Sequence, residues 1–179
     1  MITVAVTEPL RAEHRELVPH VEELAHTATW VATAPAPVVR ERLTHALEFL
    51  RHHLVPHALA EEETLYPAVE GAMQAPGATE TMRRDHVEVV RRVEALEQLR
   101  DDIDEIPTES QRDQLSAALH GLHAIVSLHF AKEEEIYLSV LDRTLTPRDA
   151  QLLFERMEAA AERHADTMGR SNGRDGGRS

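Results

Sequence analysis

The sequence predicts an all-α protein, an up-down-up-down four-helix bundle with an additional C-terminal helix. Apolar residues recur at steps of three and four along most of the chain, which is the periodicity of helices, whereas strand-like alternation is nearly absent. Aromatic residues make up only 3% of the 179 residues, so leucine, valine and alanine must fill the core, as helix bundles allow. The connections between the periodic segments are short, which indicates antiparallel neighbours.

The first two helices form one predicted hairpin. The first helix should begin near Thr7, a suitable N-cap, and end before the break APAP at 34–37. The second should continue until Pro67 and the segment GAMQAPGAT close it. Pro56 lies inside the second helix, so we expect a kink or a locally unwound turn just before His57.

The next two helices form a second predicted hairpin, and a fifth helix follows. The third helix should begin near Thr79 and end in the acidic stretch DDIDEIP. The fourth opens with a capping-box pattern from Thr108 to Gln111. The fifth should begin at Thr146 and run to about Met168.

The chain is predicted to be one domain, residues 1–168, followed by a tail. The bundle core spans 7–142 and the fifth helix 146–168. Residues 169–179 are Gly-rich and polar, so we expect a disordered tail.

Composition excludes several classes of function. The net charge of -13 argues against nucleic acid and anionic membrane partners, because both need a basic patch. The absence of cysteine excludes disulfides, thiolate catalysis and iron–sulfur clusters. There is no signal-peptide pattern and no apolar run long enough to span a membrane, so a cytoplasmic protein is expected. The sequence does not indicate an oligomeric state.

Twelve histidines are present, and four of them belong to an internal repeat. When the chain is shifted by 72 residues, two helical hairpins align without a gap, and in each the two repeated histidines are 43 residues apart. The residues that match are His14 with His86, His57 with His129, and Glu61 with Glu133.

The repeated residues lie on apolar helix faces, so they should meet at one level of the bundle. Burial of so many ionisable groups would cost several kcal/mol per ion without compensation. A cation compensates most simply, and imidazole with carboxylate but no sulfur suits iron, manganese or zinc. The donor count favours two ions, with each glutamate bridging both and one place left for a small ligand. The neighbouring glutamates are interpreted as solvated surface: Glu62, Glu63, Glu134 and Glu135.

Two further residues are candidates for the same site. His53 lies one turn before His57 and is a candidate fifth histidine ligand. Tyr137 lies one turn after Glu133, where it could hydrogen-bond the bridging carboxylate or approach the metals. A tyrosine whose hydroxyl is satisfied elsewhere in the core is the alternative.

The pattern of His14, His57-x-x-x-Glu61, His86 and His129-x-x-x-Glu133 resembles the hemerythrin-like, or HHE cation-binding, family over about residues 7–142. This resemblance implies a four-helix bundle that holds two iron ions joined by an oxo or hydroxo bridge. It implies that His14 and His57 bind one iron, that His86 and His129 bind the other, and that Glu61 and Glu133 bridge them. It also implies reaction with dioxygen, nitric oxide or peroxide.

The chain departs from the oxygen-carrying hemerythrins, which have a fifth histidine and an aspartate five residues after the last one. Here Glu133 follows His129 by four residues. Ferritin-like di-iron proteins are a weak alternative, because their Glu-x-x-His spacing occurs here only at Glu23 and His26. A stand-alone bundle with a fifth helix resembles actinobacterial hemerythrin-like proteins, which implies peroxide or nitric oxide detoxification by catalase-like cycling. Reversible dioxygen or nitric oxide binding or sensing, and a metal-stabilised structural bundle, stay open as alternatives.

Overall fold

The computed structural model describes residues 5–175 and confirms the all-α fold class. Within these residues there are helices and no strand. The five helices are α1 (Glu8–Val31), α2 (36–73), α3 (Glu80–Asp101), α4 (109–144) and α5 (Pro147–Asp175). The first four form the bundle, in which α4 packs against both α1 and α3.

Three single π-helical turns interrupt α2 and α4, at Leu50–Leu54, Glu61–Leu65 and Glu133–Tyr137. The first lies just before Pro56, where the sequence predicts a kink or unwound turn ahead of His57. The other two begin at the repeated glutamates of the two hairpins. Such π turns are rare and occur frequently at functional sites.

Each π turn shifts the buried face of its helix by one residue, because a residue five positions on, rather than four, returns to the same side. After Glu133, the regular helical spacing predicts Ile136 on the buried face, but this side chain is 51% exposed. Tyr137 and Leu138 are buried in its place. The prediction that Ile136 lies on the buried face of α4 is therefore wrong.

The helix ends are fixed by a few polar contacts. Thr108 and Gln111 form the predicted capping box at the start of α4. Thr7 occupies the N-cap position of α1, but its hydroxyl donates to Asp142 Oδ1 (2.9 Å) instead of capping the helix. Gln74 ends α2 in the left-handed conformation, with φ 51°. The contact between Thr7 and Asp142 ties the start of α1 to the end of α4.

The C-terminal helix is longer than the sequence predicts. α5 continues past Met168 to Asp175, so residues 169–175 are helical where a disordered tail was expected. A single glycine such as Gly169 weakens a helix by only about 1 kcal/mol and does not end it. Residues 176–179 of the expected tail lie outside the described residues.

Two apolar clusters fill the bundle, and the repeated histidines and glutamates lie between them along the helices. The larger cluster includes Val21 of α1, Leu54 of α2 and Phe130 of α4. The smaller cluster includes Leu10 and Tyr66, and α5 packs against it through residues such as Met157. The polar layer is thus enclosed by apolar side chains on both sides. None of the helices within residues 5–175 is long and apolar enough to cross a membrane.

Candidate metal centre

The structure brings the six repeated residues together in the core of the bundle. Each helix of the bundle contributes to the group, and every member is at most 6% exposed. The members are His14 on α1, His57 and Glu61 on α2, His86 on α3, and His129 and Glu133 on α4.

One half of the site is built around His14 and His57. His57 Nε2 lies 3.0 Å from Glu61 Oε1, and His14 Nε2 lies 3.6 Å from the same oxygen. Glu133 Oε2 approaches His14 Nε2 to 3.5 Å. The two imidazole nitrogens and Glu61 Oε1 therefore face one another, and Glu133 Oε2 approaches them from the side of His14.

The other half is built around His86 and His129 and uses the remaining oxygen of each carboxylate. Glu61 Oε2 lies 3.4 Å from His86 Nε2, and Glu133 Oε1 lies 3.3 Å from His129 Nε2. The two Nε2 atoms face each other at 2.9 Å. Both glutamates thus stand between the two pairs of histidines, one oxygen toward each.

Several atoms of the site are buried without a hydrogen-bond partner among residues 5–175. They are His14 Nε2, His57 Nε2, both carboxylate oxygens of Glu61, and Glu133 Oε2. A buried polar atom left unsatisfied costs about 1–3 kcal/mol, and a charged one costs more. All of these atoms point to the shared interior of the site, so one occupant could satisfy them together.

Each histidine of the site is oriented from behind by a carboxylate that accepts from its Nδ1 atom. The four carboxylates come from residues next to members of the site, and the contacts obey the same 72-residue repeat. The pairs are His57 with Glu13 (2.9 Å), His129 with Asp85 (3.2 Å), His14 with Glu134 (2.8 Å) and His86 with Glu62 (2.9 Å). The interpretation of Glu62 and Glu134 as solvated surface is therefore wrong.

These contacts set the tautomer of the rings. A neutral imidazole that donates Nδ1–H to a carboxylate leaves a lone pair on Nε2, the atom that faces the site. Such carboxylate–histidine contacts are the usual arrangement behind histidine metal ligands. The Nε2 atoms of His86 and His129 lie 2.9 Å apart, so without a metal ion a proton must lie between them, and a metal ion would replace that proton.

Removal of one of these carboxylates should weaken metal binding without removing a ligand. For Glu134→Ala we expect metal affinity to fall by about 10–100-fold, because the His14 ring loses the group that fixes its tautomer and orientation. Competition with a chelator would measure the change. Glu135→Ala is the matched control, since Glu135 is the exposed neighbour. Equal affinity in the two variants would contradict the role assigned to Glu134.

The electrostatics of the site favour positive charge inside it. Burial alone would lower the pKa of the His57 imidazole, but Glu61 and Glu13 outweigh burial and hold this pKa well above its usual value. Burial likewise opposes ionisation of His129, yet Glu133 and Glu61 raise its pKa to about 10. Burial would raise the pKa of Glu61, but the surrounding imidazoles, His57 first, keep it well below its usual value. The cluster therefore holds protons when no other cation is present, and a metal ion would displace them.

The spacing and chemistry of the donors fit transition-metal ions. Two ligands bound at about 2.0–2.2 Å to one ion lie roughly 3.0–3.5 Å apart, close to the separations found in both halves. The donor atoms form two groups, and within each group they all lie within 4.8 Å of one another. One group is His14, His57 and Glu61, and the other is Glu61, His86 and His129. Glu61 belongs to both groups. The mixture of imidazole and carboxylate suits iron, manganese or zinc better than calcium or magnesium.

Tyr66 is a member of the site that the sequence analysis missed. Its hydroxyl donates to Glu133 Oε1 (2.9 Å) and lies 3.1 Å from both His86 Nε2 and His129 Nε2. Tyr66 follows Glu61 by five residues, and the π turn Glu61–Leu65 brings it to the same face. Regular α-helical spacing would not place it there.

The two additional candidates lie elsewhere. The hydroxyl of Tyr137 donates to the Ala78 carbonyl oxygen (3.2 Å), away from Glu133, because the π turn rotates it off the face of the site. His53 is exposed, and its ring stacks on Phe49. His53 lies within the π turn Leu50–Leu54, where the regular helical spacing is lost. The spacing of four residues therefore does not place His53 on the face of His57.

An apolar wall and a surface cleft adjoin the half of the site that contains His14. The Phe130 ring stacks on the His14 ring at 4.5 Å between centroids and meets the His57 ring edge-on at 6.1 Å. A cleft of about 280 Å³ reaches His14 and Phe130 from the surface between α1 and α4. Its other lining residues include Val18, Val21, Ser127 and Ala131. A small molecule therefore has a route toward this half.

The chain matches a protein-family model over most of its length. The family described as hemerythrin HHE cation binding domain matches residues 5–141, which contain all six residues of the site. No curated protein and no solved structure gives a significant match. The family match and the buried cluster together indicate a metal-binding site.

Proposed function

Because the chain belongs to the hemerythrin HHE cation-binding family, we propose that the buried cluster holds two iron ions and that the protein consumes hydrogen peroxide with them. The observation that carries this proposal is the division of the donors into two groups that share Glu61. His14 and His57 would hold one ion, and His86 and His129 the other. Glu61 and Glu133 would bridge them, since each directs one oxygen toward each pair.

Two adjacent iron ions, when bound, supply two-electron redox chemistry toward small oxidants. The chain provides the surroundings for that chemistry. The carboxylates behind the histidines fix the donor atoms, and the two apolar clusters keep bulk water away. The cleft beside Phe130, of about 280 Å³, gives small molecules an approach to the half that contains His14.

Peroxide is favoured over nitric oxide as the substrate because of electron balance. Two molecules of hydrogen peroxide can become two of water and one of dioxygen, with one peroxide oxidised and the other reduced. This catalase-like reaction needs no outside reductant. Repeated reduction of nitric oxide would need a supply of electrons from a partner.

The test is dioxygen release from peroxide by the iron-loaded protein. We expect many molecules of dioxygen per chain, and far fewer from Glu61→Ala treated with the same iron, which controls for free iron. Iron-loaded protein that releases no dioxygen would overturn the peroxide function. Reversible colour changes on exposure to dioxygen or nitric oxide would then identify a binding or sensing protein.

A further inference from the structure

We propose that Tyr66 is a seventh protein ligand, binding the iron held by His86 and His129 through its phenolate oxygen. This inference rests on the proposed di-iron function and assigns different coordination to the two ions. A phenolate oxygen would be a different type of ligand from the imidazole nitrogens and carboxylate oxygens of the six repeated residues.

The position of the Tyr66 hydroxyl carries the inference. It lies 3.1 Å from each of the two Nε2 atoms and 2.9 Å from Glu133 Oε1, as a donor in the same coordination shell would. The two nitrogens are themselves 2.9 Å apart. The phenol oxygen therefore lies among the donor atoms that would hold an ion in this half, rather than behind them.

The surroundings of the ring fix this position. Tyr66 is fully buried in the smaller apolar cluster, so its hydroxyl cannot turn to solvent. The ring stacks on His86 at 5.5 Å between centroids, and the guanidinium of Arg83 lies 5.3 Å from the ring centre. On binding, the phenol proton is replaced by the metal ion and leaves to solvent.

The internal repeat shows that this donor is specific to one half. The residue 72 positions after Tyr66 is Leu138, which likewise follows a π turn and is fully buried. An aliphatic side chain cannot bind a metal. The ion held by His14 and His57 thus has four protein donors, whereas the other ion has five.

This asymmetry predicts where a small molecule binds. The place left open lies on the ion held by His14 and His57, the half that the surface cleft reaches. Tyr66 closes the corresponding place on the other ion. The two ions would then differ in role, one open to the substrate and the other held by protein donors.

The experiment uses the colour of the iron-loaded protein. Phenolate bound to Fe(III) gives a charge-transfer band in the visible range, and resonance Raman excitation within it enhances the ring vibrations of tyrosine. The chain contains only two tyrosines, so Tyr66→Phe and Tyr137→Phe form a matched pair. We expect this signature in the wild type and in Tyr137→Phe, and its loss in Tyr66→Phe.

Iron content is measured first in all three proteins. A wild type that binds no iron would overturn the proposed function itself. A wild type that binds two ferric ions without the tyrosine signature would overturn the Tyr66 ligand alone, as would a signature that persists in Tyr66→Phe. The wild-type spectrum decides the question even if Tyr66→Phe does not fold.

Discussion

Glu61→Ala is expected to remove metal from both halves of the site. Glu61 is the residue shared by both groups of donors, and its two oxygens point to different pairs of histidines. Loss of a bridging ligand should weaken binding by more than the roughly 10–100-fold typical of the carboxylates behind the histidines. The measurement is iron per chain after reconstitution and desalting, expected to fall from two to near zero.

Two comparison variants make this result specific. Glu135→Ala removes an exposed glutamate and should keep both ions. His57→Ala removes a ligand from one half, so the half with His86 and His129 should retain more metal than it does in Glu61→Ala. Equal iron contents in Glu61→Ala and Glu135→Ala would contradict the bridging role of Glu61.

Metal loading is expected to stabilise the fold substantially. The metal-free site leaves buried nitrogens and carboxylate oxygens without hydrogen bonds, and a metal that binds only the folded state satisfies them. At a free metal concentration one hundred times the Kd, one site adds about 2.7 kcal/mol to the free energy of unfolding. For a chain of this size that corresponds to a rise in Tm of about 5–11 °C. Thermal unfolding followed by circular dichroism, with and without iron, measures it.

The stabilisation must depend on the site rather than on metal bound at the acidic surface. Glu61→Ala should show little rise in Tm on addition of the same metal, while Glu135→Ala should behave as the wild type does. A wild-type Tm that does not change with iron, or an equal rise in Glu61→Ala, would contradict binding at the buried cluster.

The fold class and the six central residues of the site could be predicted because both depend on periodicity. Apolar spacing identifies helices, and the repeat at 72 residues identifies which polar residues share a level of the bundle. His14 and His86 lie inside regular helix, where spacing translates directly into direction. The structure confirms the five helices and brings the six residues together, while their role as ligands remains a proposal.

The errors come from the places where the helical spacing changes. The sequence analysis favours Tyr137 and misses Tyr66 because of the spacing it assumes. In a regular helix, the residue four positions after each repeated glutamate shares its face, and the residue five positions after it does not. The same shift explains why Ile136 is exposed. The π turns have no clear sequence signature here. Tyr66 could still have been found by considering polar residues five positions after Glu61 as well as those three or four positions after it.

The partners of the histidines were missed for a different reason. Glu62 and Glu134 are polar residues beside a buried one, and a solvated position is the usual outcome for such residues. Only the crossing of helices shows that each reaches a histidine of the other hairpin. The repeat does indicate these acidic residues, because Glu13 matches Asp85 and Glu62 matches Glu134 at the same 72-residue shift.

Metal content of the purified protein tests the central claim most directly. When the chain is produced with sufficient iron and purified without chelators, elemental analysis should find two iron ions per chain, with little manganese or zinc. One iron per chain, or a different metal in both places, would contradict a di-iron centre built from the two halves that share Glu61.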